Sequence, residues 1–275
     1  MRNKRTRSRL TAVSVVLVVA LVGGGLLLRG ALQGGGEKAA GPACHVGAFG
    51  LDLDQATNAT TIAGVGKRLD MPDHAVSIAL ATAMLESNLR NLARGDRDSL
   101  GLFQQRPSQG WGTPAQIMNP PHAAAAFYQH LSHVPGWQVI PVTDAAQRVQ
   151  RSALPHGYAH FEPKARALAE ALTGEVPAAF TCQVTVPATP PAPSTGSLQQ
   201  AMVTELGLRS PSVSLAAGRG WTVASWFVGH AVPFRITSVA FAGQRWTAVQ
   251  GQWIPDPSVG SQVEVVRAPA AAAAA

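Results

Sequence analysis

The sequence predicts a mostly α protein: a helical domain, preceded by a transmembrane helix and followed by a small α+β unit. Three observations carry that expectation. Leu10 to Leu28 is apolar or small except for Thr11 and Ser14. Residues 44–182 show apolar spacing of helical period, broken by helix caps rather than by alternation. Residues 198–267 then mix two helical runs with alternating β-branched and aromatic stretches.

Residues 1–9 hold Arg2, Lys4, Arg5, Arg7 and Arg9 and read as a cytoplasmic basic tail. The apolar run 10–28 is close to the roughly 20 residues that cross a bilayer core, and Arg29 closes it. We read it as an uncleaved single-pass anchor at the plasma membrane, with the bulk of the chain extracytoplasmic. Secretion after signal cleavage is the alternative, but a signal peptide has a shorter apolar core of about 7–15 residues and a nearby small-residue cleavage site. The net charge of +7 does not indicate nucleic-acid binding. Six basic and no acidic residues lie in 1–29, whereas 44–182 holds ten basic and eleven acidic. The charge is topology signal, and the exported part is near neutral.

Residues 29–43 are rich in Gly and Ala and read as a flexible linker. Cys44 and Cys182 are the two cysteines and bracket one domain's length of chain. Outside the membrane the expected pairing is a disulfide that ties the domain's ends together. Two unpaired buried thiols are the alternative.

Inside that bracket the spacing predicts a helix over 54–69. The central helix follows, Pro72 to Asn88, with Pro72 suited to the first turn and Asp73 to the positive end of the dipole. Its only polar residues from Ala75 to Leu85 are Ser77 and Thr82, so it should be surrounded by protein. Asn91 to Ser99 reads as a polar turn. Thr113-Pro114-Ala115-Gln116 carries a capping box. Asn119 caps a helix to about His133, Thr143 caps one over 144–153, and Glu162 to Thr173 ends at Gly174. Little β signal appears here.

Residues 183–197 are Pro-rich and predict a semi-rigid linker. Beyond them, 198–206 and 220–231 read as helices. Phe234 to Phe241 and Arg245 to Gln250 form a hairpin around Ala242-Gly243-Gln244, and 263–266 adds a strand. The four tryptophans of this unit read as its core, with a binding face as the alternative. Residues 268–275 form an Ala-rich tail.

The chemistry centres on Glu86, at the far end of the apolar helix. A carboxylate held against apolar surroundings keeps its proton to higher pH and can act as an acid. The plain alternative is that Glu86 marks where the helix reaches water. Fifteen residues later comes Gly101-Leu102-Phe103-Gln104-Gln105, then Arg106-Pro107-Ser108-Gln109-Gly110-Trp111-Gly112.

A helix ending Glu86-Ser87, a short polar loop and then Gly-Leu-aromatic-Gln resembles the lysozyme-like superfamily. The nearest likeness is to soluble lytic transglycosylases and goose-type lysozymes, and it covers about residues 54–173. The stretch RDSLGLFQQRPSQGWG is similar to one in exported actinobacterial proteins. The resemblance implies cleavage of peptidoglycan glycan strands, with Glu86 as catalytic acid and Gly101 to Gln104 lining the sugar cleft. It implies that Ser87, Gln104 and Gln105 face the substrate. The family's third motif, Ala-Tyr-Asn, has no copy in Ala145 to Ala153. Gln150 stands in as the amide and Tyr158 supplies the ring.

Hydrolysis of a glycosidic bond ordinarily takes two carboxylates. Asp96 and Asp98 are the candidates for the second, or else solvated loop charges. Without a second carboxylate the family resemblance implies attack by the substrate's own 6-hydroxyl, with Glu86 acting first as acid and then as base. Trp111 and Trp137 lie in loops, where rings stack on sugars or simply pack. His130/His133 and His156/His160 lack an HExxH context, so neither a metal nor a cofactor is expected. The expected partners are peptidoglycan glycan strands and the membrane, with no nucleic acid. Nothing in 198–267 points to a particular protein partner. The reading is a membrane-anchored, extracytoplasmic peptidoglycan-cleaving enzyme. Its rival is a glycan-binding or envelope-scaffold protein that kept the fold and lost turnover.

Overall fold

A computed structural model describes residues 43–152, 154, 156–187, 197–211 and 214–269. The basic tail 1–9, the expected anchor 10–28, the linker up to residue 42 and most of the Ala-rich tail lie outside them, as does 188–196 of the Pro-rich linker. No helix among the described residues is long and apolar enough to cross a membrane. The architecture is a helical core with two small antiparallel sheets, about 48 % helix.

The first sheet has the order β2-β1-β3, from Cys44–Val46 (β1), Phe49–Leu51 (β2) and Phe180–Cys182 (β3). The sequence shows little β signal within 44–182, and this small sheet is the β structure found there. Each strand is only three residues, and β3 joins from the far end of the segment, so no local alternation announces it. Cys44 and Cys182 face each other across β1 and β3 and form the disulfide.

Helix α1 (Leu53–Arg68) starts on a capping box between Asp52 and Gln55. Helix α2 (Asp73–Ser87) is the central one. Every residue from Ala75 to Met84 is buried, as a helix without a polar face requires. Pro72 stands at its N-cap rather than in its first turn. Around it lie α3 (Pro114–Ile117), α4 (Pro120–Ser132), α5 (Val142–Gln150) and α6 (Glu162–Thr173), with α4, α5 and α6 packing directly on α2. Thr113 and Asn119 cap as their side chains predict. Helix α5 begins at Val142 behind Pro141, so the expected start at Asp144 with Thr143 as cap is two residues late, and it ends at Gln150 rather than at residue 153.

The later segment contributes α7 (Leu198–Ala201), a π turn over Met202–Leu206, α8 (Ala217–Gly229) and α9 (Ala231–Phe234). It ends in the sheet β6-β5-β4-β7, built from Ile236–Phe241 (β4), Gln244–Thr247 (β5), Trp253–Pro255 (β6) and Glu264–Arg267 (β7). The hairpin around Ala242 and Gly243 is present; β6 had no counterpart in the sequence reading.

Residues 198–267 and 44–182 share one hydrophobic core, in which Trp226, Phe227 and Trp246 lie with Ile62 and Val65. Helix α8 crosses α1 closely. A Cβ at Gly229 would sit 2.6 Å from Thr60, so only glycine permits the approach. At the same crossing Glu205 is buried and accepts from Thr61 Oγ1 at 2.7 Å and from Trp226 Nε1 at 2.8 Å. His230 stacks on the Trp226 ring at 4.1 Å, and its Nε2 lies 3.6 Å from Glu205 Oε2.

Candidate active site

Helix α2 ends abruptly just past Glu86. Asn88 and Leu89 adopt φ of 54° and 59°, two consecutive left-handed non-glycine residues. Such backbone is costly and must be held from outside. Helix α1 holds it: Gln55 Nε2 donates to Asn88 O at 3.1 Å and Asn58 Nδ2 to Leu89 O at 2.8 Å. Arg90, next in line, pairs with Asp52. The sequence reading missed Gln55 and Asn58. Their signal was two amides on the otherwise small, buried face of α1.

Glu86 is half-buried, and Tyr158 Oη donates to its Oε1 at 2.9 Å. Tyr158 is fully buried, in the 3₁₀ turn Gly157–Phe161 that leads into α6. Burial pushes the Glu86 carboxyl above its ordinary range, and the Tyr158 hydroxyl, which favours the ionised form, pulls partly back. Burial also pushes the Tyr158 phenol up, and the Glu86 charge beside it acts in the same direction.

The Gly101–Gln105 segment is a tight loop closed by paired hydrogen bonds between Leu100 and Gln105. It drives Leu102 and Phe103 into the core, where Phe103 stacks on Phe127 at 4.7 Å. Gly101 has φ of 76°, and a Cβ there would lie 2.7 Å from Ile117 O, so the turn requires glycine.

Most residues singled out for substrate instead hold this loop. Ser87 is buried, and its Oγ lies 2.7 Å from Leu102 O as a donor. Gln150, from the end of α5, donates to Phe103 O at 2.8 Å. Gln104 donates to Gly101 O at 3.1 Å and lies over Gly95, but stays half-exposed. Gln105 is 1 % exposed and donates to Ala123 O, so it is not open to a sugar; its position inside the core accounts for the difference from the sequence reading.

The two aspartates do not share one environment. Asp98 takes Arg106 Nε at 2.6 Å and Ser108 N at 2.8 Å. The Ser108 and Arg106 donors hold its carboxyl well below the usual carboxylate range. Asp96 is exposed beside Arg97.

Trp111 stacks on His130 with ring centroids 3.8 Å apart. Together with Gln109, Arg148, Gln150 and Arg151 they line a groove of about 480 Å³. Burial, with His133 nearby, lowers the His130 pKa, so the stack is between neutral rings at neutral pH. Glu86 does not line this groove. Gln150 is the residue that belongs to both the groove and the loop below it. Trp137 is buried, and His156 and His160 are exposed on a turn. Among the described residues no group of three or more His, Cys, Asp or Glu could hold a metal ion.

No protein-family model matches the chain, and no curated protein matches its sequence. What the site does is therefore a question for its own chemistry.

Proposed function

We propose that this chain is a membrane-anchored, extracytoplasmic enzyme that cleaves peptidoglycan glycan strands, with Glu86 as its single acid/base group in a lysozyme-like helical domain. The observation that carries the reading is the Glu86–Tyr158 pair. A desolvated carboxyl with one hydrogen-bonding partner sits at the end of an apolar helix, beside a loop fastened on both sides. The lysozyme-like assignment rests on the order Glu86-Ser87, polar loop, Gly101 to Gln104. Export and anchoring rest on the basic tail and the apolar run.

In this reading protonated Glu86 donates to the glycosidic oxygen as the C1–O bond breaks through an oxocarbenium-like state. The carboxylate then takes the proton of the same sugar's 6-hydroxyl as O6 closes on C1. No water is consumed, and the product carries a 1,6-anhydro end. The state of the aspartates favours this route over hydrolysis. Both Asp98 oxygens are occupied, by the Arg106 guanidinium and the Ser108 N–H, and Asp96 stands in solvent.

The test is to incubate full-length protein with purified cell wall and identify soluble products by mass. Glu86→Gln keeps size and loses the transferable proton, so release should fall by at least about 10²-fold while wall binding persists. Retained activity in folded Glu86→Gln protein would overturn the assignment. One observation favours the rival, a non-cleaving glycan-binding or scaffold protein: Gln150, the stand-in amide, is committed to Phe103 O. Wall binding without any release by the wild type decides for that rival.

A further inference from the structure

Far along the chain from Glu86, a second cavity of about 650 Å³ opens where β3 meets the C-terminal sheet. Its size is that of ligand sites, about 300–1,000 Å³. Pro177, Ala178 and Thr181 form one side, and Trp221, Ala242, Gln244, Gln252 and Trp253 the other. The sequence reading gave these tryptophans to the core. Trp226 and Trp246 are indeed buried there, but Trp253 is half-exposed.

Trp253 is a fixed platform. Its Nε1 donates to Phe180 O at 2.9 Å, and Trp221 meets its ring edge-on at 5.1 Å and 78°. With Trp221 only 4 % exposed, the cavity offers one indole rather than a ridge of parallel rings. A proline-rich segment, which docks across an aromatic-lined groove, is less well matched than a single flat ring.

The polar groups point the same way. Neighbouring glutamines are occupied: Gln183 donates to Val249 O and Gln250 accepts from Thr247 Oγ1. The side-chain amides of Gln244 and Gln252 make no hydrogen bond among the described residues, yet both line the cavity. Each carries two donors and an acceptor. No lining residue is ionisable, so nothing there would neutralise a phosphate, a carboxylate or a cation. Ala178 and Ala242 present only methyl groups, and the mouth stays open.

An aromatic platform, uncommitted amides and no charge fit a neutral ring with apolar faces and a polar rim. We propose that this cavity is a carbohydrate subsite that seats one neutral pyranose of a glycan on Trp253, with Gln244 and Gln252 bonding to its hydroxyl and amide groups. It does not depend on Glu86 chemistry. It would hold the protein on a glycan at a point other than the bond being cut.

The test uses full-length Glu86→Gln protein, titrated with the N-acetylglucosamine tetramer while the tryptophan indole N–H resonances are followed by NMR. The Trp253 and Trp221 signals should shift together and saturate. In the Gln244→Ala/Gln252→Ala variant the Kd for that shift should rise by about tenfold, the worth of two neutral hydrogen bonds. Its melting temperature and any Trp111 response should be unchanged. Indole signals of Trp253 and Trp221 that stay still at saturating sugar would overturn the proposal, as would a Kd indifferent to the two glutamines. A peptide of residues 186–197 that shifts them where the sugar does not would also overturn it, giving the cavity to a proline-rich ligand. Failure of the wild type to cleave cell wall, with this response intact, would count against the Glu86 reading alone.

Discussion

The Tyr158 hydroxyl reaches Glu86 across 72 positions of sequence and donates to its Oε1 at 2.9 Å. The bond favours the carboxylate, whereas the burial around it favours the acid, and burial is the larger effect. Glu86 is therefore held between two opposing influences, and one of them can be removed by a single oxygen.

Tyr158→Phe removes that oxygen and keeps the ring that fills the core. The Glu86 carboxyl should then rise further. If protonated Glu86 limits cleavage, the alkaline limb of the pH–rate profile should move to higher pH. Release rates measured from pH 4 to 9 check this. A limb that moves down or stays in place would mean that Glu86 does not set it.

Stability should respond to Glu86 in the opposite sense from activity. Its folded pKa lies above its ordinary 4.5. The contribution of the protonated form is thus full below about pH 4.5 and is lost as pH rises through the raised value. Above that value the fold carries a desolvated charge. Glu86→Gln has no charge to desolvate, and its amide oxygen still accepts from Tyr158. Its melting temperature should match the wild type at pH 4 and exceed it at pH 7.5. A lower value at pH 7.5 would show that the charge stabilises the fold.

What could be read from the sequence divides along range of interaction. Helix α2, the caps at Thr113 and Asn119, and Gly174 after α6 follow from residues a few positions apart, and the folded chain has them. Glu86 and Tyr158 were both singled out, yet their contact could not be, since it spans two elements. Strands β1 to β3 are three residues each, too short to show alternation, and β3 pairs with β1 from the far end of the segment, which leaves little local pattern to read. Ser87, Gln105 and Gln150 were chosen as polar residues in the right segment. Polarity alone does not distinguish a side chain that faces a ligand from one that satisfies a buried carbonyl. The break at the Pro-rich stretch was legible in composition, but not the shared core on either side of it.

The aspartates yield a sharper prediction because their environments differ. Asp98, held well below the usual carboxylate range, is too weak a base to take a proton from water at neutral pH. Its partners, Arg106 and Ser108, make it a clasp for the loop that follows Gln104. Asp98→Asn should loosen that loop and lower cleavage severalfold, and Asp96→Asn should change it less than about twofold. Both variants, like the wild type, should leave 1,6-anhydro ends, lighter by one water than reducing ends. A majority of reducing ends from pure protein would indicate a water-activating carboxylate and reverse the proposed route.

The last prediction concerns the join between 44–182 and 198–267. Glu205 accepts from Thr61 on α1 and Trp226 on α8, with His230 closing the cluster. Burial lowers the His230 pKa, although Glu205 and the Trp226 carbonyl push it up, so the ring is a neutral stacking partner of Trp226 at neutral pH. Glu205→Ala leaves the Thr61 hydroxyl and the Trp226 indole N–H buried without their acceptor. Each orphaned group costs on the order of 1–3 kcal/mol, so the whole protein should lose about 3 kcal/mol or more in denaturant unfolding. Glu205→Gln retains an acceptor oxygen and should lose less. If the two parts were held together by their linker alone, Glu205→Ala would unfold the C-terminal part and leave 44–182 melting as in the wild type. One shared core predicts a single transition, shifted as a unit, when unfolding is followed at Trp137 and at Trp246.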